Sequence, residues 1–323
     1  MDTVISIFGC DWDERLLFER YASRYGIGAL CFQEPLGSVN VRDVPPGSAV
    51  SVNHKSPVDA ALIRMLQKRG VAYLSSRSIG LDHIDRAAAG RAGIQVESIA
   101  YSPESVAEFT IMLMLMALRN TGNVLHRAKT GDFRLEARRG RELRDMKVGV
   151  IGTGRIGKAV IERLRGFGCG ILACDPHPNA EAEAEYAELD DLLSRSDLTS
   201  LHLPLTADTR HLMDRTRIER MKWGAILVNA ARGALIDTNA LADALESGRV
   251  GCAALDVVEG EEGWFYNDCA GRGAPPFQRL LALPNAIVTP HTAFCTEHSL
   301  CDVVRNTIQN CMKNKGALKR WIS

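Results

Sequence analysis

Three polar residues of complementary chemistry stand at or just beyond the ends of apolar runs in the second half of the chain. Arg232 follows "AILVNAA", Glu261 comes shortly after "GCAALDVV", and His291 closes "NAIVTPH". An arginine presents a fork of N–H donors that matches a carboxylate and a neighbouring carbonyl oxygen. A histidine exchanges a proton near neutral pH. A glutamate on its other ring nitrogen fixes the tautomer and favours the protonated ring. Taken singly, each has a plainer explanation: a surface ion pair for Arg232, a solvated acidic run with Glu259 and Glu262 for Glu261, a packed strand end for His291. Taken together they suit one reaction, the reduction of a 2-oxo acid, with His291 giving a proton to the carbonyl oxygen as a hydride reaches carbon. His298, seven residues on, falls inside a helical pattern capped by Thr296 and reads as helix surface. His83 in "SIGLDHID" reads as a turn or cap residue.

A hydride needs a carrier, and "VGVIGTGRIG" supplies a place for one. Gly152, Gly154 and Gly157 follow an apolar strand and open a helix, the context in which a G-x-G-x-x-G pattern becomes specific for a dinucleotide. Arg155 and Ile156 lie in the first turn of that helix, whose free N–H groups and positive dipole end face a pyrophosphate. The next strand, "ILACD", ends at Asp175, near the spacing expected of a carboxylate that binds the adenosine ribose hydroxyls and repels a 2′-phosphate. NAD is therefore the expected cofactor; a plain turn cap before Pro176 is the alternative for Asp175. His202 and Pro204 in "SLHLPLT" are further candidate cofactor neighbours, with a structural turn as the alternative.

These groups need elements to hold them in place. Through residue 100, short β-like runs alternate with helical patterns: "VISIF" (4–8), a helix over 14–26 ending at Gly26, "AVSVN" (49–53), a helix over 56–70 with Pro57 in its first turn, and "VAYLSS" (71–76). Such alternation predicts a parallel sheet covered by helices. The segment 101–120 predicts a helix with Ser102 as N-cap and Pro103 at its first position. It is apolar almost all round, which suits either a core helix or an interdomain or subunit contact. A second α/β unit starts at Lys147, and a last helix over 297–316 follows it, able to return to the first unit.

Composition narrows the function classes. A chain of 323 residues is comfortable as two domains. Lys+Arg and Asp+Glu are both 39, so the basic excess of a nucleic-acid binder is missing. The longest strongly apolar run, "FTIMLMLMAL", is half a membrane span, and the start has no secretory pattern. Nine cysteines are scattered without C-x-x-C or zinc spacing, as in a cytoplasmic protein with reduced thiols and no structural metal.

The set "VGVIGTGRIG", "LHLPLT", "NAARGALID", "ALDVVEGEE" and "TPHTAF", with "RSIGLDHID" and "VAYSPESVAEFT", resembles the D-isomer-specific 2-hydroxyacid dehydrogenases over most of the chain. The resemblance implies an α/β fold of two Rossmann-like doubly wound parallel-sheet domains with the active site in the cleft between them. It implies a substrate-binding domain of residues 1–100 plus 297–323 around an NAD-binding domain of 101–296. It carries substrate binding onto Arg232, and the acid/base pair onto His291 and Glu261. Asp256 would lie by the nicotinamide and Ala230 along the cofactor. The backbone of Ser78, Ile79 and Gly80 would meet the substrate carboxylate, with Tyr101 and Phe294 lining the pocket. The segments "AALDVVEGEEGWFYND" and "PHTAFCTEHSLCD" are closer still to the D-lactate dehydrogenases of vancomycin-resistance gene clusters. That branch implies pyruvate as substrate and D-lactate for cell-wall precursors as product, while the apolar helix over 101–120 suggests a homodimer. Two alternatives carry the same motifs: an enzyme for a larger 2-oxo acid such as 2-oxoisocaproate, and an NAD-sensing binding protein of the same fold.

Overall fold

The computed structural model describes residues 4–135 and 139–314. The chain divides into two compact units, with changeovers at 102/103 and 294/295.

In the first unit, β1 (Val4–Phe8), β2 (Gly28–Phe32), β3 (Ala49–Val52), β4 (Tyr73–Ser76) and β5 (Gln95–Ser98) form one parallel sheet in the order β2-β1-β3-β4-β5. Parallel strands need crossovers. These are α1 (Trp12–Tyr25) between β1 and β2, α2 (Ala60–Lys68) between β3 and β4, and α3 (Arg86–Arg91) between β4 and β5. Gly26 ends α1 in the left-handed region at φ 61°, the conformation glycine adopts without a Cβ penalty. Helix α2 starts later than its sequence predicts. Val58 pairs with Ile84 in an isolated bridge, so Pro57 stays outside the helix, and Asp59 caps it by accepting from Leu62 N–H. The last helix, α11 (Glu297–Lys313), packs on α1, where Val304, Ile308 and Cys311 complete a core with Ile5, Ile7, Phe18 and Tyr73.

Arg77, just past β4, is almost wholly buried in this unit. Its guanidinium donates to Glu14 Oε1 at 2.7 Å, to the Phe8 and Gly9 carbonyls at 2.8 and 3.0 Å, and to Ser51 Oγ at 3.2 Å. One cation thus ties together the carboxyl ends of β1, β3 and β4 at the root of the Ser78–Gly80 turn. Nothing in the periodicity of the sequence points to it.

In the second unit, α4 (Glu104–Leu118) and α5 (Thr121–Lys129) precede a seven-stranded parallel sheet. Its strands are β6 (Lys147–Ile151), β7 (Gly170–Cys174), β8 (Glu185–Tyr186), β9 (Leu198–Leu201), β10 (Ala225–Asn229), β11 (Val250–Leu255) and β12 (Ala286–Val288). Their order is β12-β11-β10-β9-β6-β7-β8, so the direction of winding reverses between β6 and β9. Ligands of open α/β sheets bind at such a switch point, beyond the carboxyl ends of the strands. Helices α6 (Arg155–Arg165), α7 (Leu189–Arg195), α8 (Arg215–Arg220), α9 (Thr238–Glu246) and α10 (Gln278–Leu281) complete the layers. Helix α4 lies in the core of this unit, against α6, β10 and β11. Pro103, not Ser102, stands at its N-cap position, and Ser102 N–H donates to the Asp302 carboxylate at 3.1 Å.

Removing one member of a buried ion pair strands the other charge, which typically costs 3–5 kcal/mol. Glu14→Gln is expected to lower the unfolding free energy by about 3 kcal/mol, read from urea denaturation. An unchanged midpoint would show that the uncharged acceptors around Arg77 suffice to hold it.

Candidate active site

The glycine turn forms the floor of the site. Gly152 has φ 93°, and a Cβ there would stand 2.4 Å from the His202 carbonyl oxygen. A Cβ on Gly157 would stand 1.9 Å from the Gly152 carbonyl oxygen. The turn after β6 and the first turn of α6 therefore touch backbone to backbone. Gly154, the N-cap of α6, faces open space, and Arg155 and Ile156 follow it in the first helical turn. A cradle that side chains would fill, at the N-terminus of a helix, fits a dinucleotide pyrophosphate.

Asp175 lies one residue past β7. Its Oδ2 accepts from Thr153 N–H at 2.6 Å and Thr153 Oγ at 3.2 Å, and its Oδ1 accepts from His177 N–H at 2.8 Å. Burial alone would raise this carboxyl, but the Thr153 and His177 donors outweigh it and hold it below the usual carboxylate range. It is thus ionised at neutral pH and already oriented by the turn. Tyr186 Oη donates to Thr153 Oγ at 3.0 Å, bringing β8 into the same network. Thr153 and Tyr186 escaped the sequence reading because each is a common polar residue whose neighbours are distant in the chain.

His202 follows β9 and packs under the glycine turn, with Nε2 2.9 Å from Ser200 Oγ. Burial pushes it down to about 4, so the ring is neutral at physiological pH. Pro204 is exposed next in the loop, and Ala230 is half-buried just after β10.

Arg232, Glu261 and His291 all lie in this unit, beyond the ends of β10, β11 and β12, three neighbouring strands. Buried Asn229 organises the Arg232 turn, accepting from Ala231 N–H at 3.0 Å and donating to the Arg232 carbonyl at 2.9 Å. Glu261 Oε2 accepts from Val258 N–H at 2.8 Å, leaving Oε1 to meet His291 Nδ1 at 2.6 Å. A carboxylate can only accept, so Nδ1 carries the hydrogen and Nε2 is the nitrogen left for proton exchange.

Asp256, one residue past β11, has no exposed surface. Its carboxylate accepts from Thr289 Oγ at 2.6 Å, Thr292 N–H at 2.9 Å and Ala293 N–H at 2.8 Å, while its carbonyl accepts His291 N–H at 2.8 Å. The side chain expected beside the nicotinamide is thus engaged with the histidine loop. His291 itself has φ 54°, a left-handed conformation that costs about 1 kcal/mol or more outside glycine. Phe294 stands edge-on to the imidazole, with centroids 6.0 Å apart.

Ser78, Ile79, Gly80 and Tyr101 belong to the first unit. Ser78 is buried, with Oγ 2.8 Å from both Ser76 Oγ and the Gly80 carbonyl, while Ile79 is exposed. His298 lies on the exposed face of α11, 3.6 Å from Asp302.

Residues 111–293 match the family described as D-isomer specific 2-hydroxyacid dehydrogenase, NAD binding domain. A D-specific alpha-keto acid dehydrogenase of Enterococcus faecalis is 48% identical over 317 residues, covering 98% of each chain. An aromatic 2-oxoacid reductase of Clostridium sporogenes is 36% identical over 92% of each. The D-lactate dehydrogenase of Aquifex aeolicus, solved with NAD and lactic acid, superposes with a TM-score of 0.87 at 30% identity, covering 98% of this chain and 97% of that one.

Gly157→Ala is expected to force the glycine turn open and weaken NADH binding on the order of a hundredfold, with the fold retained by circular dichroism. Fluorescence titration with NADH checks this; wild-type affinity would mean that the contact with Gly152 relaxes freely.

Proposed function

The chain belongs to the D-isomer-specific 2-hydroxyacid dehydrogenases and is an NAD-dependent enzyme, and within that family we propose that it reduces pyruvate to D-lactate. The product would supply cell-wall precursors ending in D-alanyl-D-lactate, as in glycopeptide resistance. The observation that carries the reaction is the 2.6 Å contact of Glu261 with His291 Nδ1, one strand away from Arg232 in the sheet. The likeness to the enterococcal keto acid dehydrogenase supports the choice of branch.

Bound NADH supplies the hydride. Arg232 holds the substrate through its carboxylate and draws charge from the carbonyl. His291 gives the Nε2 proton to the carbonyl oxygen as that oxygen gains charge, and Glu261 stabilises the ring while it is protonated. The backbone of Ser78, Ile79 and Gly80 binds the substrate carboxylate, and Tyr101 and Phe294 limit the size of its side chain. Gly152, Gly154, Arg155, Ile156 and Gly157 receive the pyrophosphate, Asp175 the adenosine ribose, and His202, Pro204, Ala230 and Asp256 shape the rest of the cofactor site. Ordered carboxylate oxygens at Asp175 favour NADH over NADPH, since a 2′-phosphate would meet like charge.

The working form is a homodimer. Phe133 and Leu135 are 82% and 99% exposed, and Val124 and Leu125 on nearby α5 are about half exposed. Apolar side chains concentrated in so short a stretch mark a surface that is covered by another protein, here a second copy. All nine cysteines are free, in keeping with a cytoplasmic setting. Among the described residues no helix is long and apolar enough to cross a membrane.

The test is NADH oxidation by the purified protein with pyruvate, 2-oxobutyrate, 2-oxoisocaproate and phenylpyruvate, with NADPH as the rival donor. Fast turnover of pyruvate to D-lactate with NADH is expected. Turnover confined to the bulky acids would keep the mechanism and replace the substrate, and equal use of NADPH would remove the role given to Asp175. Sedimentation is expected to give a dimer that Phe133→Asp with Leu135→Asp dissociates; a monomeric wild type would end that part of the proposal.

A further inference from the structure

We propose that Tyr266 is a positioning residue for proton transfer, acting on His291 through its backbone; the inference rests on the reading of His291 as the proton donor. Tyr266 is neither a glycine nor buried, yet it has φ 65°. It ends a tight turn that begins at Glu261, whose carbonyl accepts both Trp264 and Phe265 N–H groups. Phe265 anchors that turn edge-on against Phe277, with centroids 5.4 Å apart. The left-handed backbone at Tyr266 then turns its side chain back toward the site.

There the Tyr266 hydroxyl donates to the His291 carbonyl oxygen at 2.8 Å, and its ring centre lies 6.1 Å from the imidazole centre. The other end of the same peptide group, Thr292 N–H, is held by the Asp256 carboxylate at 2.9 Å. The peptide after His291 is thus gripped at both ends, and His291 is itself left-handed. A rotation of that peptide would change the direction in which the imidazole leaves the backbone. It would loosen the 2.6 Å bond to Glu261 and turn Nε2 away from its target. Glu261 and Tyr266 come from one turn, so a single loop holds the ring at Nδ1 and the backbone at the carbonyl. Aiming a proton to within a fraction of an ångström needs such support from neighbouring groups.

Tyr266→Phe keeps the ring and removes only the hydroxyl. It is measured beside His291→Ala with pyruvate, or with 2-oxoisocaproate should pyruvate not be turned over. For Tyr266→Phe we expect kcat to fall about three- to tenfold, the scale of one hydrogen bond. The substrate KM, NADH affinity and thermal midpoint should stay at wild-type values. The solvent deuterium isotope effect on kcat should rise, because transfer from a poorly aimed imidazole becomes the slower step. His291→Ala should lose turnover by orders of magnitude while binding NADH. If His291→Ala stays active, the reading of His291 falls and takes this inference with it. If His291→Ala is inactive while Tyr266→Phe keeps wild-type kcat and isotope effect, the role of Tyr266 alone is overturned. A Tyr266→Phe enzyme that loses stability and NADH affinity along with kcat would also overturn it, in favour of a general packing role.

Discussion

A carboxylate without exposed surface has to be surrounded by donors, because an ionised group removed from water is tolerated only when its oxygens are hydrogen-bonded. Asp256 is that group here, and the chain after β12 is shaped by the need to satisfy it. Thr289, Thr292 and Ala293 bend round its two oxygens within five residues. A turn that tight leaves His291 in a left-handed conformation. The geometry of the His291 loop is therefore set from beneath, by the buried Asp256 side chain. The strain at His291 is offset by the donors collected on either side of it.

The glycine turn follows a different rule. Where β6 turns into α6, contact is backbone to backbone, and the absence of side chains creates the space. His202 lies beneath this turn as a neutral ring with its Nε2 beside Ser200. Asp175 stays charged and is fastened to the same turn by Thr153. One polar residue is thus kept neutral and the other ionised by surroundings only a few residues long, and both support the same loop.

Much of this order was legible in the sequence, and what was missed follows a pattern. The central strands β1, β3, β4, β6, β9, β10 and β11 are buried along most of their length and announce themselves as apolar runs. The strands without a clear signal, β2, β5 and β8, lie at sheet edges, where half-exposed residues dilute the apolar pattern. The glycine turn was readable because its spacing encodes a close approach. Arg232, Glu261 and His291 were readable as strand-end polar residues, though not the turns that aim them. Arg77 with Glu14 was invisible, since the partners are 63 residues apart and each looks like ordinary surface charge. Tyr266 carries no signal of its own in the sequence, because its hydroxyl meets a backbone carbonyl 25 residues away. Sequence periodicity carries burial well; it does not carry contacts that tertiary folding alone creates.

The packing of α11 on α1 has a further consequence, for the order in which the protein can be born. The core around Ile5, Ile7 and Phe18 is closed by Val304, Ile308 and Cys311, so its first and last members are separated by nearly the whole chain. During synthesis those N-terminal apolar side chains emerge early and wait on the order of half a minute for the residues that cover them. The second unit is continuous in sequence and has no such delay. The segment of β1 and α1 is therefore made well before the residues that close its core, and in the interval its apolar face is uncovered. A ribosome that stalls before residue 300 would release a chain with a complete nucleotide-binding unit and an open, aggregation-prone first one.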